Sequence, residues 1–214
     1  MPTSIPLVDL KNAVNALGGF FHAGPNFLDH KHFVILFGLS GTGKTQLPLK
    51  YARAVHGLMD MLMPDPFLTV YPVHSEWTDP TALTGYSDIL SNRYVVPPFL
   101  KAVILATVYW ESSVFVVLDE MNLARVEYYF SNVLSCIETS APLQLHSNGM
   151  SLEGSTRISI PLEISLPPNL YIFVTINADE TTNPVSDKVL DQIIVVDISA
   201  VQELLAKHRL GFGY

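Results

Sequence analysis

The residues Gly38-Leu39-Ser40-Gly41-Thr42-Gly43-Lys44-Thr45 form a complete G-x-x-x-x-G-K-[ST] phosphate-binding loop, directly after the apolar run His32-Phe33-Val34-Ile35-Leu36-Phe37. That is the strand-to-helix setting in which such a loop works. At average composition these offsets arise by chance on the order of once in 10⁴ to 10⁵ positions, and the chain has only 214 residues. Each residue type has a task. Gly38, Gly41 and Gly43 let the backbone turn and bring its N–H groups against phosphate oxygens, where the new helix adds the positive end of its dipole. Lys44 supplies charge between the β- and γ-phosphates, and the Thr45 hydroxyl is placed to coordinate Mg²⁺. The expected nucleotide contacts are Gly38, Leu39, Ser40, Gly41, Thr42, Gly43, Lys44, Thr45 and Gln46, with Mg²⁺ as cofactor and ATP or GTP as substrate. The competing reading is a glycine-rich turn that binds nothing.

Asp119 ends a buried apolar run, which sets its carboxylate at the carboxyl edge of a sheet, where α/β proteins bind ligands. There it is expected to hold Mg²⁺ together with Thr45. Glu120 beside it is the candidate to orient and deprotonate the water that attacks the γ-phosphate. The same pair would also serve as an ordinary acidic helix start. Asn177 ends the run Tyr171-Ile172-Phe173-Val174-Thr175-Ile176-Asn177, and a carboxamide there can contact both the γ-phosphate and the attacking water. A helix cap or turn fits Asn177 equally well on pattern alone. The expected catalytic set is Lys44, Glu120 and Asn177.

The elements that must position these groups alternate between strand and helix. Leu7 to Ala16 suits a short helix, ended by Gly18-Gly19. Gln46 to Leu58 reads as a helix after the loop; if it begins near Lys44, Pro48 removes a hydrogen bond and bends the first turn. Leu68 to Val73 reads as a strand, then a turn-rich stretch runs through Trp77-Thr78-Asp79-Pro80 and Gly85-Tyr86. Phe99 to Trp110 resumes a helix. Ser113 to Leu118 is a continuous apolar run rich in β-branched valine, the signature of a strand covered on both faces. Leu123, Val126, Phe130, Val133, Leu134 and Ile137 recur at helical spacing, with Arg125, Glu127 and Ser131 turned away, and predict one surface helix on the sheet. Leu143 to Leu166 alternates around Asn148-Gly149 and predicts an inserted β-hairpin turning there. Leu170 to Ile176 and Ile193 to Ile198 read as strands, and Val201 to Arg209 as a last helix. The pattern predicts an α/β fold, a doubly wound parallel sheet with right-handed crossovers. One domain spans 1–214, with a lead-in over 1–29 and a core over 30–198.

Composition narrows the function classes. The chain is 49% hydrophobic and 15% charged, enough to bury the core of one domain. Its net charge of −8, from 20 acidic and 12 basic residues, is the wrong sign for neutralising nucleic-acid phosphates, so any DNA contact is expected to be indirect or through other domains. Cys136 is the single cysteine, which excludes a disulfide scaffold and suits a reducing cytoplasm. No charged-then-apolar leader opens the chain, and apolar stretches such as Phe99 to Trp110 are too short for a membrane span. A cytoplasmic protein is expected. His30 and His32 share a strand face without a third ligand nearby. Trp77, Tyr86, Tyr128 and Tyr129 suit packing, and Lys207, His208 and Arg209 suit a helix C-terminus.

Taken together, the phosphate loop, Leu118-Asp119-Glu120-Met121-Asn122-Leu123-Ala124-Arg125, Glu76-Trp77-Thr78-Asp79-Pro80 with Gly85-Tyr86, and Thr175-Ile176-Asn177-Ala178-Asp179-Glu180-Thr181-Thr182 followed by Ser186-Asp187-Lys188-Val189-Leu190-Asp191 resemble the AAA+ NTPase module of McrB-like proteins, in the branch with MoxR and dynein-related modules. The likeness covers roughly residues 30–198. It implies a P-loop NTPase fold of AAA+ type, with Walker A at Gly38 to Thr45, Walker B at Asp119 and Glu120, and sensor 1 at Asn177. It also implies a hexameric ring with nucleotide between subunits, a nuclease partner and a role in DNA restriction. The segments around Asn148-Gly149 and from Tyr86 to Pro98 would be the family's inserted hairpins. Two departures stand out. Gln192 occupies the position where such proteins usually carry an arginine, whose trans-acting finger is worth about 10³ to 10⁵ in rate in related phosphoryl transfer. Arg125 is a partial substitute at best and suits a solvated surface charge. The helical lid that usually follows the last strand is also missing, as in a fragment or a reduced domain. These departures favour one alternative, a nucleotide-binding assembly module with little intrinsic hydrolysis. A small-molecule kinase is disfavoured, because a kinase excludes water from the γ-phosphate and Glu120 with Asn177 would activate it.

Overall fold

The structure, a computed structural model, describes residues 33–58, 62–148, 151–154, 158–178, 183–185 and 194–198. The expected helices over 7–16 and 201–209 lie outside the described residues, as do His30, His32, Gln192, Lys207, His208 and Arg209. Five parallel strands form the central sheet: β1 (Phe33–Gly38), β2 (Leu68–Pro72), β5 (Val114–Asp119), β10 (Leu170–Asn177) and β11 (Ile194–Asp197), in the order β11-β1-β10-β5-β2. The chain is an α/β protein.

Strand alternation assigns each side chain to a face. Val34, Leu36, Phe115, Val117 and Phe173 point to one side, where they meet Tyr51 and Ala52 of helix α1 (Gln46–Val55). Phe33, Ile35, Val114, Val116, Leu118, Ile172 and Val174 point to the other, under helices α3 (Pro98–Val108) and α5 (Ser131–Thr139). With both faces covered, β5 is buried from Val114 through Leu118, which is why its sequence shows no polar alternation. Pro98 opens α3 at a position where its missing N–H has no helical partner to lose. Helix α1 begins at Gln46, so Pro48 falls within its first turn.

Two expectations need correction. The helical periodicity from Leu123 to Ile137 is carried by three short pieces: a 3₁₀ turn (Met121–Leu123), α4 (Val126–Tyr129) and α5. Residues 124 and 125 are extended between them. The expected residues do face the core, and Arg125, Glu127 and Ser131 are exposed. However, the buried Tyr129 hydroxyl turns back to donate to Met121 O at 3.0 Å, drawing the short pieces together. Burial, reinforced by the charge of Glu127, holds the Tyr129 phenol well above its ordinary pKa and keeps it a donor.

The second correction concerns the inserted hairpin. Strand β6 (Leu143–Gln144) pairs with β9 (Glu163–Ile164), and β7 (Leu152–Glu153) with β8 (Ser159–Ile160), all antiparallel. The reversal therefore lies between β7 and β8, and Asn148 sits in the connection from β6 to β7. The Asn-Gly dipeptide is a local turn signal, whereas the ladders follow the pairing of Leu143 with Ile164 and of Leu152 with Ile160.

A short helix α2 (Thr81–Thr84) and a hairpin of β3 (Tyr86–Asp88) and β4 (Arg93–Val95) fill the connection from β2 to α3. No helix among the described residues is long and apolar enough to cross a membrane.

Candidate functional site

Parallel strands bring their carboxyl ends to one edge of the sheet. Gly38 and Asn177 are register partners at the ends of β1 and β10, and Asp119 ends β5 opposite Pro72. Ala178 N–H donates to Gly38 O at 3.0 Å and Val73 N–H to Asp119 O at 2.9 Å, tying the chain just past these ends. Three residues far apart in sequence thus share one edge.

Between β1 and α1 the chain turns through Gly41 (φ +75°) and Gly43 (φ +85°), a backbone region that favours glycine. A Cβ at either position would meet no atom within 4 Å, so open space lies beside the loop. Thr42 Oγ1 donates to Leu39 O at 2.8 Å. Lys44, 5% exposed, folds over the loop, its ammonium donating to Gly38 O at 2.9 Å and Leu39 O at 2.6 Å. Thr45 stands at the N-cap of α1 without capping it. Its hydroxyl instead crosses to Asp119 Oδ1 at 2.7 Å.

Asp119 Oδ1 accepts a second bond, from Thr175 Oγ1 at 2.7 Å. The Thr175 oxygen in turn accepts Glu120 N–H at 2.8 Å. Glu120 has a left-handed backbone (φ +57°, ψ +52°), which costs a non-glycine residue about 1 kcal/mol or more and persists only where neighbours enforce it. Its carboxylate Oε1 accepts the Asn177 amide at 3.2 Å. Asn122, buried, donates to Asn177 O at 3.1 Å, and its own carbonyl accepts Asn183 N–H at 3.1 Å. The turns following β5 and β10 are thereby fastened to each other.

The expected residues Lys44, Thr45, Asp119, Glu120 and Asn177 therefore converge. Arg125 does not join them: exposed, it donates to Tyr128 Oη at 3.1 Å and lies 5.6 Å from that ring's centre. Trp77 packs between Tyr71 and Tyr129. The sequence pattern assigns no role to Thr175, Asn122 or Asn183. Thr175 alone left a readable trace, as a hydroxyl within an otherwise apolar stretch of a central strand.

The donor set fits Mg²⁺ with a triphosphate. A hydroxyl and a carboxylate oxygen in contact are hard donors, and Mg²⁺ is characteristically held by few protein groups, completed by phosphate oxygens and water. Among the described residues no cluster of three or more His, Cys, Asp or Glu could cage a metal alone. Thr45 and Asp119 would hold the ion, and Lys44 with the loop amides would face the phosphates. In comparisons with known proteins, the chain matches no family model and no curated protein.

Proposed function

We propose that the chain binds a nucleoside triphosphate with Mg²⁺ and hydrolyses its β–γ phosphoanhydride, as a P-loop NTPase of AAA+ type. The observation that carries this reading is the 2.7 Å bond between Thr45 and Asp119, joining the phosphate loop to a strand-end carboxylate that the sequence separates widely. Lys44 exchanges its loop carbonyls for phosphate oxygens. Thr45 and Asp119 would hold Mg²⁺, which would supply positive charge against the negative charge developing on the phosphates. Glu120 takes a proton from water as the water oxygen bonds to the γ-phosphorus and the bond to the β-bridging oxygen breaks, releasing nucleoside diphosphate and phosphate. Asn177 orients the Glu120 carboxylate through its amide.

By resemblance, the proposal extends to a module of McrB-like restriction systems, acting in a hexameric ring with a nuclease partner. The alternative, a nucleotide-binding assembly module with little turnover of its own, is favoured by Gln192. Phosphate release with ATP and GTP, with and without Mg²⁺, tests both over a range of protein concentrations. Activity rising faster than linearly with concentration supports sites shared between subunits. Glu120→Gln should keep nucleotide affinity and lower turnover by about 10² to 10⁴, the worth of a general base. Unchanged turnover in Glu120→Gln rejects the assigned mechanism. Nucleotide binding without turnover in the unmodified chain, with hydrolysis appearing on addition of a partner, supports the alternative.

A further inference from the structure

We infer that Thr175, within the site proposed above and dependent on that reading, is a positioning residue whose single hydroxyl sets the relation between the metal-holding and water-activating carboxylates. Thr175 lies on the central strand β10, two residues before Asn177, and is 2% exposed. A hydroxyl buried there must be hydrogen-bonded or it costs stability. Its hydrogen goes to Asp119 Oδ1 at 2.7 Å and its oxygen accepts Glu120 N–H at 2.8 Å. Both halves of the hydroxyl are spent on two consecutive acidic residues, the last of β5 and the one that follows it.

The two bonds act differently. Asp119 Oδ1 is also reached by Thr45, but Thr45 belongs to the loop whose partners change when substrate and metal arrive. Thr175 belongs to a strand paired on both sides, with β1 and with β5. It keeps Oδ1 engaged from a fixed point while Thr45 rearranges, so the Asp119 carboxylate stays anchored at that oxygen. Its second bond satisfies Glu120 N–H just beyond the end of β5, at the residue with the left-handed backbone. That backbone directs the Glu120 side chain toward Asn177. One side chain thus fixes the Asp119 carboxylate and the path of the Glu120 main chain.

Thr175→Val keeps the β-branched shape and deletes both bonds; Thr175→Ser keeps the hydroxyl and deletes a methyl. Binding of a fluorescent ATP or GTP analogue is measured in EDTA and across a Mg²⁺ titration, alongside kcat and KM. Thr175→Val should bind nucleotide in EDTA like the wild type. Its half-saturating Mg²⁺ should rise about 10- to 100-fold, with a comparable loss concentrated in kcat, as for removal of a group that orients a metal ligand. Thr175→Ser should restore both. In an Asp119→Asn background, Thr175→Val should shift the Mg²⁺ titration no further. If circular dichroism shows Thr175→Val unfolded, Thr175→Ala replaces it in every comparison. Unaltered Mg²⁺ dependence without the hydroxyl, or equal damage from Thr175→Ser, overturns the assignment. Wild-type protein whose nucleotide binding ignores Mg²⁺ overturns the site reading itself, and is recognised before any variant is made.

Discussion

Replacing Tyr94 by Phe removes one oxygen from the point where the inserted hairpin meets the body of the protein. Tyr94 is fully buried, and its hydroxyl faces two backbone carbonyls, Thr84 O at 2.8 Å and Leu145 O at 3.1 Å. Deleting a donor from buried acceptors costs about 1–3 kcal/mol. Burial also pushes the Tyr94 phenol up to about 12 from an ordinary value of 10.0. Because the folded pKa is the higher one, its stabilisation is fully present below the unfolded value and is lost as pH rises toward the folded value. A difference of about 2 units corresponds to at most about 3 kcal/mol, the same size as the hydrogen-bond estimate. Near pH 7, Tyr94→Phe should therefore be less stable by about 2 kcal/mol, a fall of about 4–8 °C in melting temperature for a chain this long. From about pH 10 upward the wild type should lose this advantage, so the two proteins converge as pH approaches about 12. Urea unfolding of both at matched pH reads the gap directly, and the contributions of other tyrosines cancel in the difference. Equal stability near neutrality, or a gap that stays constant through the alkaline range, refutes the reasoning.

Two substitutions probe the scaffold around the site. Gly85→Ala would set a Cβ 2.1 Å from Val95 O at φ +79°; with backbone as the obstacle, a loss of at least about 3 kcal/mol in urea unfolding is expected. Asn169→Ala withdraws the amide that faces Ala106 O, Tyr109 O and Ser112 O at 2.7–3.0 Å; it should cost about 1–2 kcal/mol and speed hydrogen exchange at the C-terminal end of α3.

The fold was most legible where a local pattern carried it. The β-branched run ending at Asp119 is buried on both faces because helices cover both, and that follows from its unbroken hydrophobicity. The loop glycines likewise declare their turn by their own offsets. Legibility failed where distant contacts decide. Residues 124 and 125 sit inside a good helical period, yet they are extended between short helices. Asn148-Gly149 has the strongest turn chemistry in its segment, yet cross-strand pairing sets the reversal farther along. Thr175 could be noticed as a polar residue in an apolar strand, but not its two partners, which arrive from a strand more than fifty positions earlier in the chain.

The order of the sheet has a consequence for how the protein is made. Among the described residues β1, which leads into the glycine-rich loop, pairs with β10 and β11, through partners such as Phe33 with Ile172 and Val34 with Ile194. At about 5–20 residues per second, synthesis leaves on the order of 10 s between the appearance of β1 and that of its neighbours. Throughout that interval Phe33, Val34, Ile35 and Leu36, all buried in the finished fold, have no strand to pair with. The first described strand of the sheet to leave the ribosome is thus among the last to be secured, and its apolar residues stay unpaired for most of the synthesis of the domain.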